Sequence, residues 1–262
     1  LKRFKHSDDD FDQNNETEPS PFDGFLADGL INRVLYTVKS GKEATVYCCE
    51  AGQATGRELL AVKVYLARSR RNFKDDTVYR EGRVFFNNQT ARAIKKKTKF
   101  GREAEFGMWM FHEFETLKHL YHIGADVPEP LAVAENAILM EYFGDRDSAA
   151  PLLHQVDLEP DEAKPLFKQI LKNVELWLEN NIVHGDLSPY NILYWQGELK
   201  IIDFPQSVDP RNNRNAFDLL LRDVTNLCDY WAGYGVKADA YKTTKEIWDR
   251  VRPVYWVNER RQ

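Results

Sequence analysis

Residues 182–193 read IVHGDLSPYNIL, and this stretch decides how the rest of the chain is read. His184-x-Asp186, with Asn191 five residues beyond the aspartate, fits the H-x-D-x-x-x-x-N loop of phosphoryl-transfer sites. The chemistry asks for a carboxylate to orient and deprotonate an attacking hydroxyl, and for an amide oxygen near it to hold Mg²⁺. A tight loop stiffened by Pro189 puts Asp186 and Asn191 on the same side of a cleft. The flanks suit that reading. Upstream, Leu166, Phe167, Ile170, Leu171, Val174, Trp177 and Leu178 recur at three and four residues, the period of an amphipathic helix. Downstream, NILYW (191–195) and ELKIIDF (198–204) read as strands joined by a tight turn at Gln196-Gly197.

The second strand ends in Asp203-Phe204-Pro205. A carboxylate there can ligate a magnesium ion that bridges nucleotide phosphates. Pro205 has a fixed φ, which argues against a freely flipping segment after Asp203. Further upstream, ELLAVKVYL (58–66) buries Lys63 between Val62 and Val64 in an alternating strand, a costly position unless something pairs with it. A lysine that holds nucleotide phosphates and pairs with a helix glutamate supplies the reason. FHEFETL offers Glu113 and Glu115. Glu113 lies on the apolar stripe Phe106, Met110, Leu117 and is the expected partner. Ser40-Gly41-Lys42 forms a turn between two strand-like segments, VLYTVKS (34–40) and ATVYCCEA (44–51). Its N–H groups and the Lys42 charge can face phosphate. In ILMEYFG (138–144), backbone groups of Glu141 and Phe143 can meet an adenine edge, with Met140 beside them.

The order is strands, one helix, a strand pair at 132–142 turning at residues 135–136, a long helix, a second strand pair, and two helices near 216–230 and 243–251. This predicts an α+β, two-lobed, protein-kinase-like fold with a cleft between a β-rich and a helical lobe. The expected divisions are a flexible acidic arm over 1–29, an N-lobe over 30–143 with a basic insertion at 68–103, a C-lobe over 144–252, and a polar tail over 253–262.

Composition narrows the alternatives. In 262 residues with a net charge of −5 there is no run of eighteen apolar residues, so no membrane-spanning helix is expected. The first residues lack the apolar stretch of a secretory signal. Three cysteines, Cys48, Cys49 and Cys228, cannot make a disulfide framework, so a reduced, cytoplasmic protein is expected. His119-x-x-His122 has no evident third ligand and reads as a helix face. The negative average hides one basic block: residues 68–103 carry twelve Lys or Arg against four acids, +8, leaving −13 elsewhere. Such a block can steer a polyanion, RNA or a ribosomal particle, although a solvated loop reads equally well.

Taken together, SGKEATVY, the AVKVY strand, HEFETL followed by GADVPEPLA, LMEYFG, HGDLSPYNIL and IIDFPQS resemble the RIO family of atypical protein kinases, in its first branch. The resemblance covers roughly residues 30–235. It implies a trimmed kinase fold binding ATP and Mg²⁺, with Mn²⁺ as a substitute, and serine/threonine kinase activity on a protein substrate or on itself, or ATPase turnover through an aspartyl-phosphate. By position it makes Asp186 the base, Asn191 and Asp203 the metal ligands, Lys63 with Glu113 the phosphate anchor, and Asp203 the carrier of the phosphoryl group. Two other readings stay open. One is a small-molecule phosphotransferase of the aminoglycoside or choline kinase type; the other is an ATP-switched ribonucleoprotein-binding module.

Overall fold

The computed structural model describes residues 20–66, 96, 98–134 and 136–251, with the backbone alone for 99–105 and 160. A five-stranded antiparallel sheet forms the first lobe: β1 (Ile31–Ser40), β2 (Ala44–Ala51), β3 (Leu59–Tyr65), β4 (Pro130–Ala134) and β5 (Ala137–Glu141), in the order β1-β2-β3-β5-β4. Strand alternation divides its side chains. Leu60, Val62 and Val64 of β3 join Ile31, Cys49 and Leu139 on one face. Ala61 and Tyr65 point to the other, against Trp109, Met110 and Phe114 of the long helix α2 (Lys99–His122). Lys63 has the parity of the α2 face.

One sequence expectation needs correction in this lobe. Residues 20–29 are not a loose arm: Asp23–Ala27 form a short helix, α1, whose Phe25 is 1% exposed in the outer-face core. One buried Phe contributes about 2–3 kcal/mol, enough to hold a short segment. Residues 1–19 lie outside the described residues. Cys48 and Cys49, neighbours in β2, are both fully buried. Cys49 joins the outer-face core, and burial pushes its thiol up to about 12. Finally, the basic segment 68–103 lies outside the described residues, apart from Lys96, Thr98 and the helix backbone from Lys99.

The second lobe contains α3 (Pro160–Glu179), the hairpin β6 (Ile192–Trp195) and β7 (Glu198–Ile201), α4 (Ala216–Ala232) and α5 (Ala240–Val251). α3 starts where its sequence says it should, with Pro160 in its first turn and the Glu159 N–H donating to Glu162 Oε2 at 3.1 Å. Its apolar stripe is buried: Ile170, Val174, Trp177 and Leu178 are at most 2% exposed. The β6–β7 turn has positive φ at both Gln196 (52°) and Gly197 (87°), the signature of a type I′ turn. β7 ends at Ile201 rather than running to residue 204, and Asp203 lies beyond it at φ +75°. Among the described residues no helix is long and apolar enough to cross a membrane.

Candidate active site

The charges of the sheet lobe converge on Lys63. Its Nζ lies 2.6 Å from Glu113 Oε1 and 2.8 Å from Asp203 Oδ1, tying β3, α2 and the segment after β7 to one atom. Glu113 is 1% exposed, and the Tyr65 hydroxyl donates to its other oxygen. Glu115 is exposed on the far side of α2, so the acid on the apolar stripe is the one that meets the lysine. Burial raises Glu113, with Lys63 pulling the other way. Burial opposes the charge on Lys63 too, yet Asp203 and Glu113 outweigh it and hold the ammonium well above its ordinary value. Burial likewise works to raise Asp203, but the Lys63 charge prevails and its carboxyl sits below the usual range. Lys63 and Asp203 thus favour their charged forms against the cost of burial, each stabilised by the other.

Across the cleft, the loop at 184–191 is held from below. Both oxygens of Asp223, on α4 and 1% exposed, accept backbone N–H groups: Gly185 at 2.8 Å and Leu187 at 2.9 Å. Arg222 donates to the Gly185 carbonyl, and Asn226 Nδ2 to the Leu187 carbonyl at 2.9 Å. One helix turn thus satisfies the backbone on either side of Asp186, whose side chain is exposed. Gly185 adopts φ +81°, a conformation any Cβ would strain. Buried His184 donates from Nε2 to the Ile202 carbonyl (3.2 Å), while Nδ1 accepts the Asp186 N–H (3.3 Å). That places the neutral tautomer, and burial pushes His184 down to about 4. Its ring packs 4.4 Å from Phe204, which is fully buried.

Asp186 is exposed and is not among the residues lining the interlobe cavity; the protein around it together with the Asp203 charge raises its carboxyl. Asn191 Nδ2 donates to the Asp186 carbonyl at 2.9 Å, which commits the amide nitrogen and leaves the amide oxygen as the outward atom. Asp203 and Asn191 thereby present hard oxygen donors, a set that suits a magnesium ion. Among the described residues no group of three or more His, Cys, Asp or Glu is arranged to hold a metal ion, and His119 and His122 are both exposed.

A cavity of about 670 Å³ runs from this charged end to the connector between lobes, lined by Val46, Ala61, Lys63, Met140, Leu193 and Asp203 among others. Its volume and apolar walls suit a nucleotide-sized ligand. Details differ from the sequence reading at both ends. Gly41 and Lys42 line the cavity, but the Gly41 N–H donates to the Ala44 carbonyl (2.9 Å), closing its own turn. Ser40 is not among the lining residues; its hydroxyl is 3.3 Å from that of Thr45. At the connector, the Glu141 N–H donates to the Glu129 carbonyl (2.8 Å), so only its carbonyl can serve a ligand. The Phe143 carbonyl accepts from Ala150, which leaves its N–H as the available group. The Glu141 side chain accepts the Glu129 N–H (3.1 Å) and pairs with Lys200 of β7 (3.3 Å), fastening the two lobes behind the cavity.

The segment after Asp203 is pinned, as Pro205 suggests. The Ser207 N–H donates to the Phe204 carbonyl, Val208 and Val183 exchange two hydrogen bonds, and His112 of α2 reaches Ser207. Sequence reasoning missed Asp223, Arg222 and Asn226. A signal for the first was present, because Asp223 interrupts the stripe Leu219, Leu220, Val224, Leu227 as Glu113 interrupts that of α2.

A five-stranded antiparallel lobe, a covering helix tied to the third strand by an ion pair, and a helical lobe carrying this loop define a protein-kinase-like fold. A model of the RIO domain matches residues 45–245, and the chain belongs to the RIO family. It is 34% identical over 218 residues to serine/threonine-protein kinase RIO1 of Chaetomium thermophilum, covering 79% of this chain and 41% of that protein. The RIO-type serine/threonine-protein kinase Rio1 of Methanocaldococcus jannaschii is 32% identical over 228 residues, covering 85% and 72%. The chain thus spans less than half the length of the fungal relative. In fold it is similar to the Rio2 kinase of Chaetomium thermophilum in an ADP/Mg²⁺-phosphoaspartate complex, with TM-score 0.61, 20% identity, and 88% and 69% of the two chains covered.

Proposed function

We propose that this chain is an ATP-dependent serine/threonine protein kinase of the RIO type, or an ATPase built on the same site. The observation that carries the reading is the convergence of Lys63, Glu113 and Asp203 with the loop bearing Asp186 and Asn191 at one end of a nucleotide-sized cavity. In this reading adenine lies against the connector, taking the Glu141 carbonyl and the Phe143 N–H. Lys63, fixed by Glu113, holds the phosphates, and Gly41 and Lys42 cover them. Asp186 accepts the acceptor's proton; its raised carboxyl makes it a better base than an ordinary aspartate. Asn191 and Asp203 would hold Mg²⁺, which neutralises phosphate charge when bound. The acceptor is a serine of a protein or of the chain itself, or Asp203, a reading supported by the phosphoaspartate complex of the Rio2 kinase. The three cysteines are buried free thiols, in keeping with a cytoplasmic setting, which belongs to the same proposal.

The test incubates the protein with Mg²⁺ and γ-labelled ATP beside Asp186→Asn and Asp203→Asn. Acid-stable label lost in Asp186→Asn identifies serine autophosphorylation. Hydroxylamine-labile label lost in Asp203→Asn, with continuing phosphate release, identifies an aspartyl-phosphate ATPase. A protein that binds nucleotide yet yields neither label nor phosphate contradicts both. A second reading adds RNA contact through residues 68–103, favoured by their +8 charge. RNA affinity that falls steeply with salt and on neutralising Lys95–Lys97 supports it, and no affinity at low salt removes it.

A further inference from the structure

Two consecutive residues of β1, Val38 and Lys39, both line the cavity, although neighbours in a regular strand point to opposite faces. The strand register explains this. Thr37 pairs with Tyr47 and Lys39 with Val46, so two steps on β1 oppose one on β2. That is a bulge at Val38, a device that re-aims a side chain. Val46 is also the partner of Lys63 on β3. Residues directly opposite one another share a face, so Lys39, Val46 and Lys63 form one cross-strand row. Lys39 therefore stands on the cleft face two strands from Lys63, on the order of 10 Å across the sheet.

Charge bookkeeping at this end favours a second cation. Lys63 commits two of its three ammonium protons to Glu113 and Asp203. An arriving triphosphate would meet those carboxylates and Asp186 with little of the Lys63 charge uncommitted. Lys39 is exposed and its charge reaches Asp203, where it helps Lys63 oppose the effect of burial on that carboxyl.

We infer that Lys39, carried onto the cleft face by the bulge at Val38, is a phosphate-binding residue that holds the terminal phosphoryl group beside Asp203 and so distinguishes ATP from ADP. This rests on the ATP reading above. No proton moves at Lys39; its charge neutralises the non-bridging oxygens of the phosphoryl group as it leaves the β-phosphate for the acceptor oxygen. Because Lys39 is exposed, replacing it leaves the core intact.

Calorimetric titration of the full chain with ATP and with ADP, each with Mg²⁺, tests the inference. Lys39→Met is expected to weaken ATP binding by about tenfold and ADP by less than about twofold. Lys39→Arg should keep ATP affinity within about threefold of the original, and Lys118→Met, on the exposed face of α2, should alter neither. Unchanged ATP affinity in Lys39→Met, or equal weakening of both nucleotides, overturns the inference while leaving the ATP reading intact. A wild-type protein that binds neither nucleotide overturns both together.

Discussion

Glu113 and Asp223 are both 1% exposed carboxylates on apolar helix stripes, yet they are held in opposite ways. Glu113 meets a cation and a hydroxyl, Lys63 and Tyr65. Asp223 meets two backbone N–H groups of the loop it supports. The consequence appears in their protonation. Burial raises both, and Asp223, hydrogen-bonded to backbone N–H groups with only the nearby Arg222 charge to oppose burial, is pushed up to about 7. One carboxylate fixes a side chain that lines the cavity; the other fixes the backbone on either side of Asp186. The lesson is that burial alone does not say what a buried acid is for; its partner does.

The sharpest way to break this comparison is to remove each acid. Asp223→Ala leaves two buried N–H groups unsatisfied and is expected to cost about 4 kcal/mol in denaturant unfolding, with activity lost as the loop relaxes. Glu113→Ala should cost about 3 kcal/mol, because Lys63 keeps Asp203 as a partner. An Asp223 variant as stable as wild type would mean the loop holds itself.

The pH dependence sharpens the same contrast. His184, about 4 in the folded chain against about 6.5 unfolded, makes stability fall as pH drops from 6.5 towards 4, by about 3 kcal/mol in all. Asp223, raised above its unfolded value of about 3.9, acts with the opposite sign. The folded state holds its proton longer, so this group's contribution declines as pH rises from 4 to 7. The two slopes oppose one another in the wild type. Asp223→Asn should therefore expose the His184 slope as a steeper acid destabilisation in urea titrations between pH 4 and 6.5. An unchanged profile would contradict the assignment. Smaller effects follow: Tyr65→Phe should cost about 1 kcal/mol by removing one hydroxyl bonded to a charge. Glu115→Ala should stay within about 0.5 kcal/mol, because that side chain is exposed.

Why one acid was legible in the sequence and the other was not follows from the same contrast. The partner of Glu113 is another odd residue, Lys63 in an apolar strand, so two anomalies explained each other. The partners of Asp223 are backbone groups, which leave no trace in composition, and the interrupted stripe around it was passed over. The hairpins were readable because turn chemistry is local, as at Gln196-Gly197. The spent N–H groups of Gly41 and Glu141 were not, since they depend on register and on a carbonyl arriving from elsewhere. Phe25 was missed because acidic, polar neighbours masked a single apolar anchor.

In the proposed function, Asp203 and Asn191 hold a metal ion against nucleotide phosphates anchored by Lys63. The most direct measurement is the affinity for ATP with and without Mg²⁺, in wild type, Asp203→Asn and Asn191→Ala. Mg²⁺ is expected to strengthen ATP binding by at least about tenfold in the wild type and to lose most of that effect in both variants. Equal ATP affinity with and without Mg²⁺, or an undiminished Mg²⁺ effect in Asp203→Asn, would contradict it.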